Sequence, residues 1–225
     1  MRGSEKYADD DFTPDNSSLF WADMGETSLS EVAPDIEWTR ATEAFSKNTL
    51  FGSGISPDDI NQGGLGNCWF LSAASAVAEK PGRMERVFLN RKNELSANGV
   101  YAVNLFALGV PHSIVIDDFL PVQQIDDGKW RTEFAAVGDD ESLWGMILEK
   151  AFSKYHGNYN RIAGGNPSYG VRTLVGGPYE IHAHADYTDD ALWNILKKHD
   201  GKDDIIQAGT PGTSDADTNA DGLVQ

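Results

Sequence analysis

Three glycines crowd the loop Gln62-Gly63-Gly64-Leu65-Gly66-Asn67, and the loop ends on Cys68, the only cysteine of 225 residues. Beyond it Phe70, Leu71, Ala74, Val77 and Ala78 recur at helical spacing, and Pro81 stops the pattern. A glycine loop that runs straight into a helix with one apolar side fixes where that helix begins, and it puts the thiol in the first turn. There the positive end of the helix dipole favours the thiolate, which is the nucleophilic form. The glycines let a substrate backbone approach closely. Gln62 is a candidate oxyanion donor through its neutral side-chain amide, with the Cys68 N–H as the second donor. Removing one such donor typically costs about 10²–10³ in rate. A lone cysteine is by default a small buried hydrophobe; here loop, helix and glutamine together argue for a nucleophile.

The rest of the chain is able to support such a site. Its hydrophobic fraction is 40%, with 6 Trp, 10 Phe and 7 Tyr, enough apolar material for a folded core. Lys and Arg number 18 against 35 Asp and Glu, a net charge of -17. Such a surface repels polyanions over roughly 8 Å at physiological salt, which disfavours nucleic acid and anionic membranes as partners. Clustered carboxylates suit divalent cations instead. One cysteine excludes an internal disulfide, and no apolar run approaches the ~20 residues of a membrane span. The charged N-terminus lacks the apolar stretch of a secretory signal, so a reducing, cytoplasmic setting is expected.

The pattern divides into an extended arm over residues 1–34, anchored by Leu19-Phe20-Trp21, a core over 35–208, and an acidic loop over 209–225. Within the core, Ile36, Trp38 and Ala44 predict a short helix from Asp35 to Phe45. A second helix follows Cys68, and Arg83 to Phe88 reads as another short one. Val100–Phe106 and Ser113–Asp117 read as strands of a hairpin turning through Gly109 and Pro111, with Asp117–Pro121 closing the second strand. Ser142–His156 carries two adjacent apolar rows and is the clearest helix. Gly157–Pro178 reads as a Gly/Pro-rich connector. A late helix over Asp190–His199 and a strand over Asp204–Ala208 complete an α+β chain with a small antiparallel sheet.

The string Gln62-Gly63-Gly64-Leu65-Gly66-Asn67-Cys68-Trp69-Phe70-Leu71 resembles the nucleophile segment of papain-superfamily proteases, and of calpains in particular. Ser18-Leu19-Phe20-Trp21, Glu37-Trp38-Thr39-Arg40, Ser56-Pro57-Asp58-Asp59-Ile60, Gly99-Val100-Tyr101, Val115-Ile116-Asp117-Asp118-Phe119-Leu120-Pro121, Leu143-Trp144 and Leu148-Glu149-Lys150-Ala151-Phe152-Ser153-Lys154 follow in that family's order. The resemblance covers roughly residues 18–224. It implies a papain-like fold, of which this chain is the helix-rich, cysteine-bearing half, and limited endoproteolysis of intracellular proteins. Cys68 would be the nucleophile, Gln62 the oxyanion-hole donor, and Gly164 and Gly165 would line the substrate cleft. It also implies calcium as cofactor, held by the carbonyls of Gly52 and Gly54 and the carboxylates of Asp59 and Glu149. Asn67 departs from the Asp that many calpains carry before the cysteine.

A papain-like mechanism needs a His to take the thiol proton and an Asn to orient it. None of His112, His156, His182, His184 and His199 stands in the expected context. In the family the catalytic His follows a Gly-Leu-Val segment, which here is Gly222-Leu223-Val224. A second protease subdomain is therefore an expected partner, alongside protein substrates. The alternative is a non-catalytic, calcium-binding interaction module derived from such a core. Asp217-Thr218-Asn219-Ala220-Asp221-Gly222 matches half an EF-hand loop. Gly209-Thr210-Pro211-Gly212 cannot supply its entering helix, so an acidic turn is the expectation there.

Overall fold

In the computed structural model, residues 6–21, 23, 29, 31, 33–126 and 129–209 are described, and they form an α+β chain. The elements in order are α1 (Asn16–Leu19), β1 (Glu37–Arg40), α2 (Ala41–Ala44), α3 (Cys68–Ala78), β2 (Val100–Ala107), β3 (Val110–Asp117), β4 (Phe119–Asp126), β5 (Lys129–Thr132), α4 (Trp144–His156), α5 (Pro167–Val175) and α6 (Asp189–Asp200). They fall into two compact units, residues Met1–Tyr179 and Glu180–Gln225. Among the described residues no helix is long and apolar enough to cross a membrane.

β2 and β3 pair antiparallel from Val100↔Asp117 to Ala107↔Val110. Leu108 and Gly109 turn the hairpin with φ of 51° and 82°, the left-handed pair that a two-residue loop requires. Pro111, expected in the turn, lies inside β3 opposite Phe106. Alternation buries Tyr101, Val103 and Leu105 on one face, which packs against α4.

Three strands form the other sheet, in the order β1-β4-β5. The helix predicted from Asp35 to Phe45 is a strand over Glu37–Arg40, with only Ala41–Ala44 helical. Aromatic Trp38 and β-branched Thr39 suit a pleated surface. β4 supplies the partner, with register Glu37↔Val122 through Arg40↔Phe119. Pro121 does not close the preceding strand. The chain bends at Asp118 and runs on as β4, with Pro121 opposite Trp38.

α4 is the buried centre of the first unit. Ile147, Leu148, Ala151 and Phe152 are in the core, and so are Glu149, Lys150 and Ser153. The Lys150 ammonium meets the Asp117 carboxylate and donates to the Phe119 carbonyl at 2.6 Å. One turn on, Lys154 donates to both oxygens of Asp9 at 2.7 Å, and the Asp9 N–H donates to Asp117 at 2.9 Å. Those bonds seat the N-terminal segment on the core, where Phe12 and Leu19 are buried.

The connector expected over Gly157–Pro178 contains α5. Asn166 caps it by accepting from the Ser168 N–H at 3.0 Å, Pro167 opens it, and Gly176 ends it at φ 72°. α5 lies tight on α3: a methyl group added at Gly170 would fall 2.7 Å from the Ala73 Cβ.

In the second unit, Thr188 caps α6, with Asp189 and Asp190 in its first turn and Lys197, Lys198 and His199 in its last, all favourable to the dipole. The strand expected over Asp204–Ala208 does not form. Asp204 folds back on the helix end instead, its carboxylate 2.8 Å from His199 Nδ1. The EF-hand-like turn at 217–222 and Gly222-Leu223-Val224 lie outside the described residues.

Candidate active site

Cys68 is the first residue of α3, and it is exposed. The loop before it is fastened to the segment that follows β5. The Ala136 N–H donates to the Asn61 carbonyl at 2.8 Å, and the Gly64 N–H to the Glu133 carbonyl at 2.8 Å. Gly63 is where the two backbones come closest. A Cβ there would stand 1.9 Å from the Phe134 carbonyl oxygen, so only glycine fits. Gly66 by contrast faces open space, with nothing within 4 Å of where a Cβ would stand.

Gln62 donates its side-chain amide to the Leu65 carbonyl at 2.9 Å. The amide therefore lies within the nucleophile loop, bonded to a carbonyl three residues before Cys68. Gly164 and Gly165 join the same neighbourhood. The Gly164 N–H donates to the Gly66 carbonyl at 2.7 Å, and Gly165 lies against the Trp69 indole, 2.3 Å from where its Cβ would be. Trp69 in turn donates its indole N–H to the Ile162 carbonyl at 2.9 Å. Cys68, Gln62, Gly164 and Gly165 are thus brought together through Gly66 and Trp69, to which the sequence alone gives no such linking role.

Beneath the loop, Asn67 is fully buried and does not cap α3. Its side-chain amide donates to Glu149 Oε1 at 2.6 Å, and the Ala135 N–H donates to Glu149 Oε2 at 3.0 Å. Glu149 sits among Leu120, Phe134, Met146 and Tyr159. Burial pushes its carboxyl up to about 7, against the opposing pull of the Asn67 and Ala135 hydrogen bonds.

Three of the residues expected to hold calcium have protein hydrogen-bond partners of their own. Asp59 closes a capping box with Ser56 and accepts from the Trp144 indole at 2.8 Å; burial raises its carboxyl. The Gly52 carbonyl accepts from Asn93 at 2.7 Å. The bonds of Glu149 run to Asn67 and Ala135, not to Gly52, Gly54 or Asp59. The carboxylate that does meet the glycine loop is Asp140, which accepts from the Ser53 N–H at 2.6 Å and from its hydroxyl at 3.0 Å. Burial acts to raise Asp140, but the hydrogen bonds from Ser53 and Ser142 hold it below the ordinary carboxylate value. Its charge also bears on Asp59. The adjacent acids Asp139-Asp140 are the one sequence signal for this position. Among the described residues no three His, Cys, Asp or Glu side chains gather in a way that would hold a metal ion.

The sequence model of the calpain family cysteine proteases matches residues 7–225. This chain belongs to that family. Over its whole length it is similar to the calpain-type cysteine proteases ADL1 of Oryza sativa subsp. japonica and DEK1 of Arabidopsis thaliana, at 31% identity to each. It covers 10% and 11% of those proteins. Across 88% of its residues it is 31% identical to the calpain-1 catalytic subunit of Homo sapiens, of which it covers 27%. The chain thus spans about a tenth of the plant relatives and about a quarter of the human one.

Calcium is the group that membership of the calpain family implies. A hard cation wants ionised carboxylates and carbonyl oxygens. The Gly52–Gly54 loop with Asp59 and Asp140 offers that chemistry. Glu149, expected as the fourth ligand, accepts from Asn67 on Oε1 and from the Ala135 N–H on Oε2. The calpain chain's histidines have their own settings. In the first unit, His112 lies on the exposed face of β3, and His156 Nδ1 faces the Phe152 carbonyl at 3.0 Å. In the second, His182 meets Tyr187 and Glu180, and His199 meets Asp204.

Proposed function

We propose that this calpain-family chain is the nucleophile-bearing half of a calcium-dependent cysteine endopeptidase that cuts intracellular proteins at limited sites. The observation that carries the reading is Cys68 itself, an exposed thiol at the first residue of α3, on a loop stapled to 133–136 and tied through Gly66 to Gly164. The Cys68 sulfur attacks the scissile carbonyl carbon. An imidazole from a second protease half takes the thiol proton and returns it to the leaving amine, oriented by an Asn of that half. The Cys68 N–H and the Gln62 amide receive the developing oxyanion, the Gln62 amide having a second N–H besides the one it donates to the Leu65 carbonyl. Backbone of the extended substrate lies along Gly164 and Gly165. A reducing, cytoplasmic setting keeps the single thiol free.

Calcium, when bound, supplies a fixed charge that favours one arrangement of the two halves. In this half the carbonyls of Gly52 and Gly54 with the carboxylates of Asp59 and Glu149 would hold it, beside Asp140, which grips the same loop at Ser53. The test is hydrolysis of a fluorogenic peptide by the chain joined to the second half, with and without calcium. Activity lost in Cys68→Ala and reduced roughly 10²-fold in Gln62→Ala supports the reading. Hydrolysis that survives Cys68→Ala overturns it. A calcium-induced rise in melting temperature without hydrolysis would identify the non-catalytic binding module instead.

A further inference from the structure

The nucleophile loop touches two neighbours, and only one of them is a glycine wall. At Gly66 it meets Gly164, whose N–H donates to the Gly66 carbonyl at 2.7 Å. At Gly64 it meets Glu133, whose carbonyl accepts the Gly64 N–H at 2.8 Å. The Glu133 side chain folds back over the same glycine: a Cβ at Gly64 would stand 3.1 Å from its Oε1. Because Gly64 has no side chain, nothing of that residue covers the carboxyl.

A carboxylate drawn partly out of water gains from a cation beside it. Glu133 is half-buried, and among the described residues no cation is paired with it. Arg131, the nearest in sequence, donates its guanidinium to Gln123 on β4. Burial raises the Glu133 carboxyl; the charge of Arg131 opposes the rise and that of Asp35 adds to it. The carboxyl is thus held against the nucleophile loop, where a positive charge brought from outside is favoured.

We propose that Glu133 is a specificity-determining residue, its carboxylate receiving a lysine or arginine side chain of the substrate on the leaving-amine side of the scissile bond. This rests on the protease reading and adds which substrates that site favours. With substrate backbone along Gly164 and Gly165 on one side of Cys68, the chain beyond the cut passes Gln62 toward Gly64. Gly64 precedes Cys68 by four residues. Even a fully extended chain puts four residues across no more than about 14 Å, which about three substrate residues and a lysine stem cover. Glu133 takes no part in moving the thiol proton or in holding the oxyanion. Its effect is on the choice of substrate.

The test uses the chain joined to its second half and pairs of fluorogenic peptides. The members of each pair differ only by lysine or norleucine at the first, second or third position after the cut. At one of these positions kcat/KM should favour lysine about three- to tenfold at low salt, the effect of a half-exposed ion pair. Salt at 0.5 M should remove roughly half of that preference or more. Glu133→Gln keeps the shape and loses the charge, and should bring the ratio to about one. Glu133→Lys should reverse the choice, so that glutamate is cut faster than glutamine at the same position. A parent ratio near one at all three positions overturns the assignment, and so does a lysine preference that survives Glu133→Gln. Where Glu133→Gln does not fold, a parent preference that falls with salt supports the assignment, and one indifferent to salt overturns it. Hydrolysis without a lysine preference overturns this assignment alone; no hydrolysis of any peptide by the unsubstituted protein overturns the protease reading and the assignment with it.

Discussion

Two glycine loops lie in the first unit, and they are held by opposite means. The loop over Gln62–Asn67 is bound by backbone: Asn61 and Gly64 are laced to 133–136, Gly63 leaves no room for a side chain, and the carboxyl beneath it is buried and pushed toward neutrality. The Gly52–Gly54 loop is gripped by a side chain, the carboxylate of Asp140, whose hydrogen bonds keep it ionised. Backbone pairing with a near-neutral acid resists changes of salt and ions. A surface carboxylate on a serine N–H yields to any competing cation. The first arrangement suits a nucleophile that must stay in place, the second a segment that answers to its surroundings.

That contrast is broken most severely at Gly63. Gly63→Ala drives a methyl group into the Phe134 carbonyl, and urea denaturation should show a loss of about 3 kcal/mol or more. Next in size is the pH dependence from Glu149. Its carboxyl rises from 4.5 to about 7 on folding, so between those values the native chain holds a proton that the unfolded chain has released. Stability from this group is full below the lower value and is lost as pH rises through the upper one, on the order of 3 kcal/mol in all. Denaturation midpoints measured across that window should slope downward, and Glu149→Gln should flatten the slope. Asp140→Asn keeps an acceptor for Ser53 but removes its charge. It should cost below about 1 kcal/mol and abolish any calcium-induced rise in melting temperature. Gly66→Ala, with open space around it, should change stability by less than about 0.5 kcal/mol.

Elements built on local spacing are legible in the sequence. α3 and α4 show their apolar rows, and β2 and β3 show their β-branched runs. β1 is read as part of a helix from Ile36, Trp38 and Ala44, yet Ile36 and Trp38, two apart, share a face only in a strand, and the partner that claims this segment lies far along the chain. β4 escapes a local reading because Pro121 looks like a stop. α5 hides in a Gly/Pro-rich stretch, although Asn166-Pro167 and Gly176 are proper start and stop signals. At the site, Cys68 and its loop are legible because glycine, glutamine and helix start are contiguous. Resemblance assigns Glu149 to calcium, whereas its partners Asn67 and Ala135 are set by tertiary packing that no spacing announces.

The ion pair between Asp9 and Lys154 joins residues 145 apart. At about 5–20 residues per second of synthesis, the segment around Asp9 leaves the ribosome roughly 7–30 s before the lysine that will receive it. Through that interval Phe12 and Leu19 have no core to enter, because α4 is not yet made. The segment that carries Asp9 is therefore among the last to settle, and its apolar side chains wait exposed, where chaperones can hold them.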